Sequence, residues 1–233
     1  VSVDEAGSID FIVYGYMNRG NHEGEVGTCV YHYDGLAHTI EEEAFIPSRS
    51  SYEVLKAEMG KLLYVNENGI LYLMFEGNVY EIKLDSLKVE KIVKNLEAGC
   101  YATSYDNQYF SWVDVDSQYS TTELSVMNLK TKEVIKINKG DDQYLRPLGF
   151  IGNDFIYGVA NAADVISDAA GNTTFPMHSI IIMDVTDQTQ LKEYTPASGY
   201  VDSIAIDDYT INVNLIAASN GVYTASGSDT IMN

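Results

Sequence analysis

The chain has 233 residues, with 34 Asp and Glu against 14 Lys and Arg, a net charge of −20, and 45% hydrophobic and 21% charged residues. A chain of this length buries roughly 70% of the surface its unfolded form exposes, so it needs no disulfide or metal staple, and its hydrophobic content excludes a disordered polymer. The acidity excludes nucleic acid and anionic membrane surfaces as direct partners, because phosphate binding needs clustered cations.

No apolar run reaches 18 residues, so no membrane insertion is predicted for this segment. The opening Val1-Ser2-Val3-Asp4 lacks a basic, then apolar leader. It is read as the start of a processed exported protein or of a piece of a longer one. Along the chain, short runs rich in Tyr, Ile, Val and Phe alternate with turn residues, which predicts antiparallel strands. The first such run is Phe11-Ile12-Val13-Tyr14, followed by a polar loop from Asn18 to Glu25 that carries Arg19 and His22. Glu41-Glu42-Glu43 reads as a charged outer strand that resists edge pairing. Ser51 to Met59 is the one short helix candidate. Further strands are Ile70 to Phe75, Tyr109 to Val113 (which contains Trp112, the single Trp) and Phe155 to Val159, with turns at Asn68-Gly69, Asp106-Asn107 and Gly152-Asn153.

A larger unit repeats: a strand ending in polar residues, a turn, then a more charged strand. It occurs at Cys29 to Ile40, Tyr80 to Ile92, Leu124 to Ile137 and Ile180 to Tyr194. Aligning Tyr33, Lys83, Asn128 and Asp184 gives spacings of 50, 45 and 56 residues. Four strands of about five or six residues plus turns fill that length, which is a β-propeller blade. The predicted fold is all-β: a propeller of about five four-stranded blades, or an arc of a larger one. Blades fall at 1–50, 51–97, 98–140, 141–197 and 198–233 within a single domain, with second strands marked by Phe11, Leu63, Phe110, Phe155 and Thr210. Closing the ring would pair Val1-Ser2-Val3 with the last blade near Thr230-Ile231-Met232. A β-sandwich with a small β domain is the alternative.

The stretch Ala102 to Trp112 resembles the Ser-x-Asp-Gly inner hairpin of TolB-type β-propellers, and Leu148 to Tyr157 resembles a looser form of it. Asn128-Leu129-Lys130-Thr131-Lys132 is similar to the Asp-Leu-x-Thr-Gly outer turn of that family. The likeness covers about four blades, from Ser8 to Tyr194. Asn107 stands in place of the turn Gly, and the first two blades have no Ser-x-Asp. The resemblance implies a bacterial, extracytoplasmic, exported or envelope-anchored module, and it carries no catalytic residue across.

Cys29 and Cys100 lie 71 residues apart without metal-binding spacing, so they read as small buried hydrophobes in different strands, and a disulfide between them stays open. Asp114 and Asp116 alternate on a strand, and with Glu123 they offer oxygen ligands to a hard cation. The solvated strand end is the simpler reading, and no metal or cofactor is predicted. Asp141-Asp142 and Asp207-Asp208 suit inter-strand turns. The histidines His22, His32, His38 and His178 match no catalytic motif, and His32, between Tyr31 and Tyr33, reads as a rim residue. Arg146, in Tyr144-Leu145-Arg146-Pro147, leads into an innermost strand. There it could hold an anion or a carboxylate partner, or pair with a neighbouring blade. The long stretch from Asn161 to Pro176 matches the Asn18–Glu25 loop in blade position, and both are candidate binding loops.

These readings predict a non-catalytic binding or scaffold module for a protein, small-molecule or glycan ligand, with Arg19, His22, Trp112, Tyr144 and Arg146 as its binding residues. The alternative is a glycan-active hydrolase. Glycoside hydrolases built on five-bladed propellers set an acid and a base or nucleophile around the channel. Asp10, Asp154 and Asp202, near the starts of inner strands, are the candidates for those roles.

Overall fold

The computed structural model describes residues 2–3, 7–59, 61–113, 118–207 and 209–232. Asp114, Asp116 and Asp208 lie outside the described residues. The regular structure is almost all antiparallel strand, in five successive main sheets and one small two-stranded sheet. Sheet 1 runs β1 (Ser2–Val3), β2 (Ile9–Tyr16), β3 (Val26–Asp34) and β4 (Thr39–Pro47). Helix α1 (Tyr52–Met59) follows, and then sheet 2: β5 (Leu63–Val65), β6 (Ile70–Phe75), β7 (Asn78–Lys83) and β8 (Lys88–Val93). Sheet 3 holds β9 (Tyr101–Thr103), β10 (Tyr109–Trp112), β11 (Glu123–Asn128) and β12 (Val134–Asn138). Sheet 4 begins with β13 (Gln143–Ile151) and β14 (Asp154–Asn161). A small inserted hairpin, β15 (Ile166–Ser167) and β16 (Thr173–Thr174), then precedes β17 (Ser179–Asp184) and β18 (Gln190–Tyr194), which complete that sheet. Sheet 5 has three strands, β19 (Tyr200–Asp207), β20 (Thr210–Ser219) and β21 (Val222–Met232).

Every sheet is a meander of consecutive strands, the strand order of a propeller blade. A Greek-key sandwich would need strands that cross between sheets, and none does among the described residues. The chain is all-β with propeller-type repeats. Two details of the sequence reading are corrected. Leu63 lies on β5, the first strand of its sheet and not the second. Ser2 and Val3 pair with Asp10 and Ile9 on β2, whereas β21 has β20 as its one strand partner among the described residues.

The chain divides into two compact units, residues 1–95 and 96–233. In the first, Val30 and Ala44 of sheet 1 meet Leu71, Leu73, Ile82 and Leu84 of sheet 2, with Leu55 of α1. Helix α1 starts where Ser51 accepts hydrogen bonds from the Val54 and Leu55 amides, and Leu55 is its buried anchor. In the second unit, Ile156, Ile180 and Ile182 of sheet 4 pack with Val201, Ile211 and Val213 of sheet 5. Each such side chain contributes about 1.5–3 kcal/mol when fully buried. Strand β13 contacts both β9 and β19, so the first strands of sheets 3, 4 and 5 share one inner wall.

The outer hairpins repeat a turn. Asp34, Asn128 and Asp184 each accept an amide hydrogen bond from the residue two positions on: Leu36 at 2.8 Å, Lys130 at 2.9 Å and Thr186 at 2.6 Å. Four residues after each comes a left-handed residue, His38, Lys132 and Gln188. Cys29 on β3 and Cys100 just before β9 are both buried free thiols, and burial pushes both upward in pKa.

Candidate functional site

The inner wall of residues 96–233 encloses a cavity of about 220 Å³ lined by Gly99 and Tyr101, by Arg146, Pro147 and Leu148 on β13, and by Asp202, Ser203 and Ile204 on β19. Its shape follows from two irregularities. The register of β13 against β14 shifts between Pro147 and Gly149, and that of β19 against β20 shifts between Val201 and Ser203. Such bulges re-aim side chains. Pro147 lacks an N–H, so a break in the ladder is tolerated there.

Arg146 is half-buried. Its guanidinium lies 6.0 Å from the centre of the Tyr119 ring, within cation–π range. It also packs so closely on Gly99 that a Cβ added there would sit 2.7 Å from Nη2. The amide side chain of Gln118 completes this seat, donating to the Ala98 carbonyl at 2.9 Å. Among the described residues, no carboxylate lies within ion-pair distance of Arg146. Asp202 lines the same cavity. Its carboxylate accepts from the Ser203 hydroxyl at 3.4 Å, and that hydroxyl in turn accepts from the Asn214 amide at 3.1 Å. The cavity therefore presents a planar cation and a carboxylate that do not neutralise each other.

The other sequence candidates are placed elsewhere. Asp154 begins β14 at the tip of the inner hairpin, opposite Ile151 and Asp184, and does not line the cavity. Asp10 lies on β2, where its carboxylate is 2.7 Å from Nδ1 of His32. Asp10 and Asp154 are on second strands, and Asp202 alone of the three is on a first strand. Tyr144 on β13 packs against the sheet 4 core, and Trp112 stacks on Phe110 with ring centres 5.7 Å apart. Arg19 is exposed in the β2–β3 loop. His22, in the same loop, stacks on Phe45 at 3.8 Å and bonds the Glu42 carboxylate at 2.7 Å, which clamps the loop onto β4. The 161–176 segment is likewise held. Asp168 accepts from the Ala170 and Asn172 amides, and its carboxyl is lowered in pKa, first by the Asn172 side chain. Phe175 and Met177 are buried in the core.

A second cavity, about 410 Å³, lies within residues 1–95 and was not legible in the sequence. It is lined by Thr28, Ile46 to Ser50, Leu55, Leu73, Phe75 and Glu76. Its one cation, Arg49, is exposed, so its charge is solvated.

No family model and no curated protein sequence matches this chain. Similar solved structures include the hydrazine synthase of Kuenenia stuttgartiensis, with 12% identity over 90% of this chain and 60% of that one and a TM-score of 0.41. The Neurospora crassa Pan2 WD40 domain has 8% identity over 89% and 58%, TM-score 0.41. A chain described as a conserved lipoprotein of Clostridium novyi has 10% identity over 60% and 90%, TM-score 0.43. The chain spans about three fifths of the length of the first two. The blade assignment rests on the strand order within this chain's own sheets.

Proposed function

We propose that this chain is a non-catalytic β-propeller binding module of an exported or envelope-anchored bacterial protein, and that it grips a carboxylate of its protein or small-molecule partner through Arg146. The observation that carries the reading is the half-buried guanidinium, held by Tyr119 and Gly99 at a cavity, without a carboxylate partner of its own among the described residues. An Arg seated on an aromatic face and backbone keeps its outward N–H groups for a planar anion. The volume favours a modest occupant. At about 220 Å³ it lies below the usual range for drug-sized ligands, roughly 300–1,000 Å³, and suits one acidic side chain or a free amino acid. The extracytoplasmic assignment rests on the TolB-like hairpin at Ala102 to Trp112.

The test is titration of the chain with free amino acids and short peptides in carboxylate and amidated forms. Saturable binding of the carboxylates alone is expected. Arg146→Lys and Arg146→Ala should weaken it about 10- to 100-fold, the range for one charge-assisted hydrogen-bond pair. Binding unchanged in both variants, or absent at millimolar ligand, overturns the reading. Turnover of a glycan or ester panel that disappears in Asp202→Asn would establish the hydrolase instead.

A further inference from the structure

On sheet 1, three neighbouring strands bring an imidazole and two carboxylates together. Asp10 on β2 and His32 on β3 are direct cross-strand partners, so their side chains share a face. On β4 the register breaks: Val30 pairs with Ala44, but Tyr31 pairs with Glu42. Glu43 is the extra residue of this bulge. In an unbroken ladder Glu43 would oppose Tyr31 and point to the other face; the bulge turns it toward His32. One ligand atom from each of Asp10, His32 and Glu43 lies within 4.8 Å of the other two.

The face matters as much as the distances. It is the side on which Val30 and Ala44 enter the core, with Ile12 packed against them. Asp10 and His32 are therefore half-buried, with side chains 24% and 39% exposed. Glu43 is exposed, so the cluster is open to solvent there. An imidazole and two carboxylates on one face make a mixed nitrogen and oxygen donor set.

We propose that Asp10, His32 and Glu43 form a binding site for a divalent first-row transition metal of the zinc class. The donor set decides the class: imidazole with carboxylates suits Zn²⁺, Ni²⁺ and Fe²⁺, whereas Ca²⁺ takes oxygen ligands. At metal–ligand distances of about 2.0–2.2 Å, ligand atoms around a tetrahedral ion stand roughly 3.4 Å apart, which small side-chain rotations reach from the separations present. The metal takes the unprotonated imidazole, so its affinity depends on pH.

The experiment is titration of the intact chain with Zn²⁺ by calorimetry, and with Co²⁺ followed by visible absorption. One equivalent of Zn²⁺ should bind at pH 7.5, with Co²⁺ giving the bands of a low-coordinate N/O site. Affinity should fall as pH drops and His32 is protonated. His32→Ala and Glu43→Gln should each weaken binding at least about tenfold, while Glu90→Gln on β8 leaves it unchanged. Glu43→Gln keeps the side-chain volume and leaves the Asp10–His32 bond intact, so it reports on the metal even if His32→Ala unfolds. Absence of stoichiometric Zn²⁺ binding overturns the proposal, as does binding indifferent to Glu43→Gln or matched by Ca²⁺.

Discussion

Sheet 1 and the inner wall of residues 96–233 surround a half-buried nitrogen side chain in opposite ways. His32 has a carboxylate at 2.7 Å and a second one turned toward it by a bulge, so its near neighbours are acidic. Arg146 is seated on an aromatic ring, a glycine and an amide, all uncharged, so its positive charge is left to face the cavity. The first arrangement favours a cation and the second an anion. In a chain of net charge −20 the second is the rarer situation, because acidic groups outnumber basic ones and are available to neutralise an Arg. Among the described residues Arg146 has no carboxylate within ion-pair distance, although Asp202 lines the same cavity.

The most severe way to break this contrast is to hollow the core behind the strand that carries Arg146. Leu145 is fully buried beside it on β13, and its amide is tied to the Thr121 carbonyl at 2.8 Å. Leu145→Ala should cost about 2–5 kcal/mol in denaturant unfolding, the range for a buried Leu that leaves a cavity. Carboxylate binding should weaken with it. A milder change acts on the seat itself. Gly99 has φ of +88° and its Cα lies against the guanidinium. Gly99→Ala should cost roughly 1–2 kcal/mol from the left-handed backbone alone. It should also displace Arg146, lowering affinity for a carboxylate ligand more than Arg146→Lys does.

The metal-free form of sheet 1 makes a prediction about pH. The folded-state pKa of His32 is raised above the ordinary histidine value by the hydrogen bond to Asp10. A raised histidine stabilises the folded state fully below its unfolded pKa, near 6.5, and that contribution is lost as pH rises through the higher folded value. Sheet 1 should therefore loosen on going from pH 6 to pH 8 in chelator, and Asp10→Asn should remove the dependence. NMR titration of the His32 ring checks both, and an unshifted His32 would contradict the geometry.

The strand pattern was legible because period and turn chemistry agree. Runs such as Ile70 to Phe75 and Phe155 to Val159 are β-branched or aromatic and bounded by Gly and Asn, and they are strands β6 and β14. The repeated outer hairpins stood out through Asn128 and Asp184, whose side chains cap the turns. The inner hairpin of sheet 2 was less legible, although it does the same work as that of sheet 3. In sheet 3, Ser104 and Asp106 satisfy the amides of Tyr109 and Gln108. In sheet 2, a single buried Asn66 carbonyl accepts from Asn68 and Ile70. Different residues meet the same backbone demand, so a motif search built on Ser-x-Asp passes over it. The two polar clusters were harder still. Glu43 joins His32 through a one-residue bulge, and Arg146 and Asp202 line one cavity beside two such shifts. A single-residue change of register inverts which face a side chain occupies, and no pattern of period two records it.

The smallest predicted effect tests the same lesson at the outer turns. The left-handed residue that ends each of them is His38, Lys132 or Gln188 rather than Gly. A side chain at positive φ costs about 1–2 kcal/mol, and Gly gives back roughly half of that gain through the greater entropy of its unfolded chain. Lys132→Gly, at φ of 66° in an exposed turn, should therefore stabilise the chain by about 0.5–1 kcal/mol in thermal or urea unfolding. Gly at position 133 should not, because Glu133 has no left-handed backbone and its amide bonds the Thr131 hydroxyl at 3.3 Å. Equal responses at the two positions would mean that the turn is not built on a left-handed residue, and the repeat would lose its structural basis.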